Sequence, residues 1–462
     1  MDWWQGPLRE VVAGRRVILA GGVAAGWTPM VPVARKLGAA DVLVAATQGA
    51  GAGPQPDCRS VVADVSRDTD HMAQLRASLA LMADAPPVLV DAVEAFDPDR
   101  SAVVFGVFLG ETPTFVGRPV VAYRRPEWVA LEDKTVVDDL LDRAGVDRAP
   151  SSVVAVGDAP AQWRQLDGGA GTVWSADSRD GYHGGAARTR WVTDDVEAAA
   201  AAADLRPHCD AVRIMPFLDG IATSVHGLVL PDGVVALRPV ELVTLREGHE
   251  LRYSGCATFW DPPDGVRAEM RAAARRVGEH LRREVGYRGA FTLDGVATVD
   301  GFRPTEVNPR FGAGLIVMTG GLDLPLVLVL DLVVAGVELP ISAPDLERQL
   351  LDRADANRSG GTWQLAVETP VEVAGRDACF DPEGESWRWA ADGEPADATV
   401  VAKAGYARAV FDPDRTPVGP SVGPRAVAFW RFADSELGTG LGELTAAEDR
   451  CDTVSVHDGR DG

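Results

Sequence analysis

Lysine is nearly missing from this chain: 462 residues carry three, Lys36, Lys134 and Lys403, against an acidic excess that sets the formal net charge at −23. That balance excludes sequence-independent nucleic-acid binding, which rests on neutralising phosphates with Lys and Arg. Cysteine is also sparse, with Cys58, Cys209, Cys256, Cys379 and Cys451 scattered and no Cys-x-x-Cys spacing. Neither a disulfide framework nor a zinc site is indicated, and a reducing cytoplasm is the expected home. The opening "MDWWQGPLRE" lacks the basic and apolar regions of a secretory leader. The longest apolar run, Leu324 to Val337, is too short to span a bilayer and contains Asp331, so no membrane partner is expected. His226 and His249 have no partner at metal-ligand spacing, and no Cys/His or Ser/His constellation offers a covalent nucleophile.

What is present is a globular composition, 46% hydrophobic with mean hydropathy near zero, enough chain for two to four domains. Arg16–Ala20, the turn Gly21-Gly22-Val23-Ala24-Ala25-Gly26 and a helix-like run after it open as strand, turn and helix of a doubly wound unit. Further strands are expected at Asp41–Ala46, Pro87–Val90, Ala102–Phe105 and Pro119–Ala122. The glycine turn is not Gly-x-Gly-x-x-Gly and no acid follows about 20 residues on, so a nicotinamide dehydrogenase is a weak reading. Backbone approach or substrate contact explains those glycines better.

The chemistry concentrates in Thr305-Glu306-Val307-Asn308-Pro309-Arg310-Phe311-Gly312-Ala313-Gly314. On a strand, residues i and i+2 share a face, so Glu306 and Asn308 look one way with Arg310 at the strand's end. Upstream, Thr292-Leu293-Asp294-Gly295-Val296 reads as the hairpin partner. A two-residue Asp300-Gly301 turn would place Asp294 opposite Val307; a three-residue loop with Gly301 left-handed places it opposite Glu306, and the second is expected. Two carboxylates and an amide oxygen then suit Mg²⁺ at nucleotide phosphates, with Arg310 meeting a phosphoryl or carboxylate oxygen. Lys134 precedes an amphipathic helix built on Val136, Val137, Leu140, Leu141 and Ala144, where cation and helix dipole both favour an anion.

The motif "TLDGV…TEVNPRFGAG" resembles the ATP-grasp ligases, and its Glu-x-Asn-x-Arg form is similar to the amino-acid and peptide ligases among them. The hinge around Asp210–Gly220 and the C-terminal tail further resemble peptide ligases of the pheganomycin type. The resemblance implies an α/β chain: an N-terminal pre-ATP-grasp domain over 1–128, an ATP-grasp domain over 129–345 and a β-rich C-terminal domain over 346–450. Within the second, a glycine-loop lobe spans 150–215 and a metal-site lobe 216–345; residues 451–462 are expected to be disordered. It implies ATP and Mg²⁺, with Mn²⁺ an acceptable substitute, held by Asp294, Glu306 and Asn308. Lys134, Ser175, Gly184, Gly185, Met215 and Phe217 would hold the nucleotide, and Arg310 with Lys134 would be catalytic.

Gly181, Gly184 and Gly185 form a loop able to close over phosphates. Two departures stand out. Val173-Trp174-Ser175 lies where a second phosphate-binding lysine is usual, leaving Arg179, Arg188 or Arg190 to supply the charge; Ala222 stands where a ribose-binding glutamate is usual. Arg238, Glu241, Arg246 and Arg252 are candidates for substrate carboxylates, though loop polarity is the better reading of any one of them. The activity implied is an ADP-forming ligation of a small-molecule carboxylate to an amine, in a protein compatible with a homodimer. Its rivals are a thiol or hydroxyl acceptor, or a nucleotide-binding protein without ligase activity.

Overall fold

The computed structural model describes residues 2–48, 57–63, 71–107, 109–181, 183–319, 324–365, 367–403 and 405–446. The segment expected to be a disordered tail lies outside them.

At the N-terminus four parallel strands stand in the order Arg59–Val62, Asp41–Ala46, Arg16–Ala20, Val103–Gly106. Three of these were legible as apolar runs; the edge strand Arg59–Val62, largely exposed, was not. The run expected as a strand at Pro87–Val90 is instead the start of helix Pro87–Phe96. Pro87 in the first turn suits a helix start, and Leu89, Val93 and Phe96 bury one stripe at helical spacing. At the last expected strand only Arg118–Pro119 pairs, with Thr114–Phe115, and Val120 bridges to Val104.

Next comes a four-stranded antiparallel unit of Ser152–Ala155, Thr172–Ala176, Thr189–Val192 and Ala211–Pro216. Helix Asp195–Leu205 covers it, started by Asp194, whose carboxylate accepts from the Val196 and Glu197 amides. The large sheet runs Gly301–Asn308, Gly289–Thr298, Ile221–Leu230, Gly233–Glu247, Glu250–Ala257, and continues through Gly360–Leu365 into Tyr406–Phe411, Ala398–Lys403, Val373–Asp381 and Ser386–Trp389. Helix Asp264–His280 packs on it through Met270, Ala273, Ala274 and Val277, as its three-and-four spacing requires. Helix Ala343–Ala356 spans the expected boundary at 345/346 and is tied to the sheet by Glu347, which accepts from the Ala236 amide at 2.8 Å.

The tail holds, besides strands, a helix that its sequence hid, Gly423–Leu437. Pro424 near its start and left-handed Gly438 at its end are the signals that mark it. Glu241 lies buried beneath: its carboxylate accepts from Ser421 Oγ at 2.6 Å and from the Val422 and Gly423 amides at 3.0 and 3.1 Å. Burial pushes this carboxyl up to about 7 while the three donors pull against it. Arg238 is likewise structural, fully buried against Asp355 and Asp261. Glu241→Gln turns an amide N–H toward those donors and should cost about 1–3 kcal/mol. A lower melting temperature checks it, and an unchanged one would show that Glu241 does not hold the C-terminal helix.

Candidate functional site

The central hairpin sets the geometry. Asp294 does pair with Glu306, but by another route than expected. Thr298 pairs with Gly301, so the turn is the two residues Val299-Asp300, with Gly301 at φ 104°, and that register alone would set Asp294 opposite Thr305. A β-bulge between Asp294 and Gly295 absorbs Thr305 and advances Glu306 into place. The bulge is tied down twice: Arg213 donates to the Thr305 carbonyl at 3.4 Å, and Thr305 Oγ1 donates to the Asp294 carbonyl at 3.4 Å.

Around this hairpin the structure brings together Lys134, Asp294, Glu306, Asn308 and Arg310. Lys134 forms an ion pair with Glu306. Asn308 Nδ2 donates to Asp294 Oδ2 at 2.9 Å and to Thr292 Oγ1 at 3.2 Å, and Arg310 donates to Asn308 Oδ1 at 3.2 Å. Burial and the neighbouring Glu306 charge push the Asp294 carboxyl up to about 6. Burial acts on Glu306 too, yet the Lys134 ammonium, with Arg310 beyond it, holds its carboxyl below the ordinary value. Among the described residues no three His, Cys, Asp or Glu side chains gather at one point. The donor set is two carboxylates and an amide oxygen, hard ligands that fit Mg²⁺ only with further oxygens from phosphates and water. Repulsion between the two acids is the observation that a cation would relieve.

Lys134 stands just before helix Val137–Arg143. Its neighbour Asp133 accepts from the Thr135 amide at 2.8 Å and, through its other oxygen, from the Ser178 amide at 2.9 Å, tying the helix start to the glycine-rich loop. That loop lies against the body of the protein: Gly185 O accepts from the Tyr253 amide at 3.2 Å, and the Gly184 amide points at Met72 Sδ at 3.3 Å. His183 is buried in it, bonded to the Asp177 carbonyl at 2.9 Å and held below its ordinary pKa by burial and then by Lys134.

Ser175 lies on the sheet face that also carries Val173, Arg213 and Met215; Trp174 and Ala176 point into the core on the other side. Of the arginines expected to replace the missing lysine, Arg179 pairs with Asp210 at 2.9 Å, Arg188 with Asp180 at 3.7 Å, and Arg190 with Asp204 and Glu250. The cation beside Ser175 is Arg213, buried and bonded to Asp138 at 2.8 Å. Its place in an apolar strand hides Arg213 in the sequence, where alternation with Val212 and Ile214 is the available signal.

Met215 and Phe217 pack in an apolar cluster with Val173, Leu251 and Trp191, whose ring stacks on Phe217 at 4.6 Å. The Phe217 amide donates to the Gly171 carbonyl at 2.9 Å, so in this conformation it serves the protein itself. Arg246 lies over Trp191 at 4.6 Å, and Arg252 pairs with Glu247 at 2.6 Å. Buried His226 packs beneath the turn after the hairpin, where a Cβ on Gly312 or Gly314 would collide with its ring. Burial drives its pKa down to about 3, and it stays neutral.

No family model matches this chain, and no curated protein matches it. Solved structures do. The Campylobacter jejuni biotin carboxylase–β,γ-ATP complex aligns over 94% of this chain and 93% of its own at 13% identity, TM-score 0.56. The biotin carboxylase domain of Hydrogenobacter thermophilus 2-oxoglutarate carboxylase, with MgADP and bicarbonate, aligns over 92% and 90% at 13%, TM-score 0.53. N5-carboxyaminoimidazole synthase from Aspergillus clavatus, with ADP and 5-aminoimidazole ribonucleotide, aligns over 94% and 99% at 13%, TM-score 0.50. The likeness is one of fold: an ATP-grasp fold, preceded by a small doubly wound domain and followed by a β-rich C-terminal segment.

Asp294 generates a prediction for the metal-free protein. A carboxyl raised in the fold above its ordinary value of 3.8 lends stability below that pH and loses it as pH rises through about 6. Asp294→Asn removes the loss, so it should melt about 2 °C or more above the parent at pH 7.5, with the gap closing toward pH 4.5. A variant that melts at or below the parent at pH 7.5 contradicts the electrostatic reading.

Proposed function

We propose that this protein is an ATP-dependent carboxylate–amine ligase, forming an amide or peptide bond with release of ADP and phosphate. The observation that carries the reading is the meeting of Lys134 with Asp294, Glu306, Asn308 and Arg310 at one end of the bulged hairpin. The solved neighbours support it, since those named above hold ATP, ADP or MgADP. A peptide ligase of the pheganomycin type remains the specific form proposed.

In the first half-reaction a substrate carboxylate oxygen attacks the γ-phosphorus of ATP, the bond to the β-phosphate bridging oxygen breaks, and ADP leaves with those electrons. Lys134 moves from Glu306 to the phosphate oxygens, and Arg310 neutralises charge on the acyl phosphate. Asp294, Glu306 and Asn308 would hold Mg²⁺, which when bound neutralises the triphosphate. In the second half an amine attacks the acyl carbon, phosphate departs from the tetrahedral adduct, and the amine loses its proton to phosphate or solvent. The glycine-rich loop, docked on Tyr253, keeps water from the mixed anhydride.

The test is ADP release with a panel of amino acids, short peptides and bicarbonate. Parent protein should sustain ADP release over many turnovers only with carboxylate and amine together, and Glu306→Gln should lower the rate about a hundredfold to a thousandfold. Lys134→Ala should weaken Mg·ATP binding by calorimetry and leave the melting curve cooperative. If no carboxylate elicits ADP, and Glu306→Gln binds Mg·ATP as tightly as the parent, the protein binds nucleotide without ligating. ADP release with bicarbonate alone would mark a carboxylase.

A further inference from the structure

Beyond Arg310 lies a small cavity, walled by the segment 122–128, the turn 309–311 and helix Leu326–Val334, with Val107 behind it. It measures about 50 Å³. At roughly 10–15 Å³ for one water, that is room for a handful of non-hydrogen atoms. The lining is mostly apolar, yet three of its residues carry buried polar atoms that lack a hydrogen-bond partner among the described residues: Nε and Nη1 of Arg124, Nε1 of Trp128 and Oδ2 of Asp331. Arg124 is 6% exposed and Asp331 9%. Glu111 Oε1 lies 3.9 Å from Arg124 Nη1.

Buried polar atoms in native proteins are normally paired, and four orphans on residues lining one cavity point to a missing ligand. Three are donors, from the segment before Lys134, and the fourth is a carboxyl oxygen, from the facing helix. Glu132 fixes the arginines behind the wall: one oxygen accepts from Arg124 Nη2 and the other from Arg310 Nε at 3.3 Å. Burial alone keeps the Asp331 carboxyl well above the usual range, as befits an acid with no cation beside it.

We propose that this cavity binds a small α-amino acid as its zwitterion, the ammonium on Asp331 and the carboxylate on Arg124 and the Trp128 N–H. The assignment of that molecule as the acyl donor rests on the ligase reading; the binding does not. Arg310 lines the same cavity and leads to the Lys134–Glu306 pair, so the bound carboxylate lies toward the phosphoryl site. Its own nitrogen is held by Asp331 and is no nucleophile there. The attacking amine therefore comes from a second molecule.

Calorimetric titration of the full chain with glycine, L-alanine and D-alanine, beside lactate, which keeps the carboxylate but lacks the ammonium, tests this. At least one amino acid should bind the parent more tightly than lactate does. Asp331→Asn should weaken it tenfold or more, with lactate and Mg·ATP binding unchanged. Arg124→Gln should weaken amino acid and lactate alike. Equal amino-acid affinity in parent and Asp331→Asn, or no binding of any small amino acid to the parent, overturns the proposal. Asp331-dependent binding without ADP release upholds the pocket and sinks the ligase reading; carboxylate-dependent ADP release with an unchanged KM in Asp331→Asn does the reverse.

Discussion

The site depends on Arg213 holding the bulged Thr305. Without the extra residue at Thr305 the hairpin register would turn Glu306 away from Asp294, and a single-residue slip moves every side chain to the opposite face. Bulges leave a carbonyl without a ladder partner. Here that carbonyl is met by a guanidinium whose other nitrogens are fixed by Asp138, in the first turn of the helix that follows Lys134. One side chain thus sets the relation between the strand carrying Ser175's neighbour, the helix behind Lys134 and the strand carrying Glu306. A lysine could not do this: its ammonium is a point charge, whereas the planar fork meets two oxygens in fixed directions.

The electrostatics follow from that placement. Two carboxylates forced onto one face repel, and the fold answers with Lys134 on Glu306 and an amide N–H on Asp294. The answer is incomplete, as the raised Asp294 carboxyl shows. Active sites commonly retain such unresolved charge, because a fully neutralised pair would have nothing left to offer a ligand.

Periodicity and punctuation made much of this readable. The hairpin and the helices after Lys134 and over Asp264–His280 follow from spacing that one sequence displays. The expected three-residue loop agrees with the structure at Asp294–Glu306 but not nearer the turn, since a bulge leaves no mark in a single sequence beyond an extra residue. Pro87–Phe96 was misread because a short apolar run has no period until its length is known. Glu132, Arg124 and Asp331 escaped for another reason: their meaning lies in which atoms lack partners once three distant segments have packed. The closed glycine-rich loop, and the Phe217 amide bonded to Gly171, are likewise facts of conformation rather than of pattern.

The large sheet does not stop at the ATP-grasp strands. Glu250–Ala257 pairs on one side with Gly233–Glu247, whose Glu241 seats the C-terminal helix, and on the other with Gly360–Leu365, through Gly255 with Thr362 and Cys256 with Gly361. The C-terminal segment is therefore an edge guard. Stripped away, it would leave the backbone groups of Gly255–Ala257 open to any extended chain, an invitation to intermolecular pairing that proteins otherwise block with charge, proline or a covering element. A chain cut near residue 356 would retain every residue of the proposed nucleotide site and still be expected to self-associate through that bared strand.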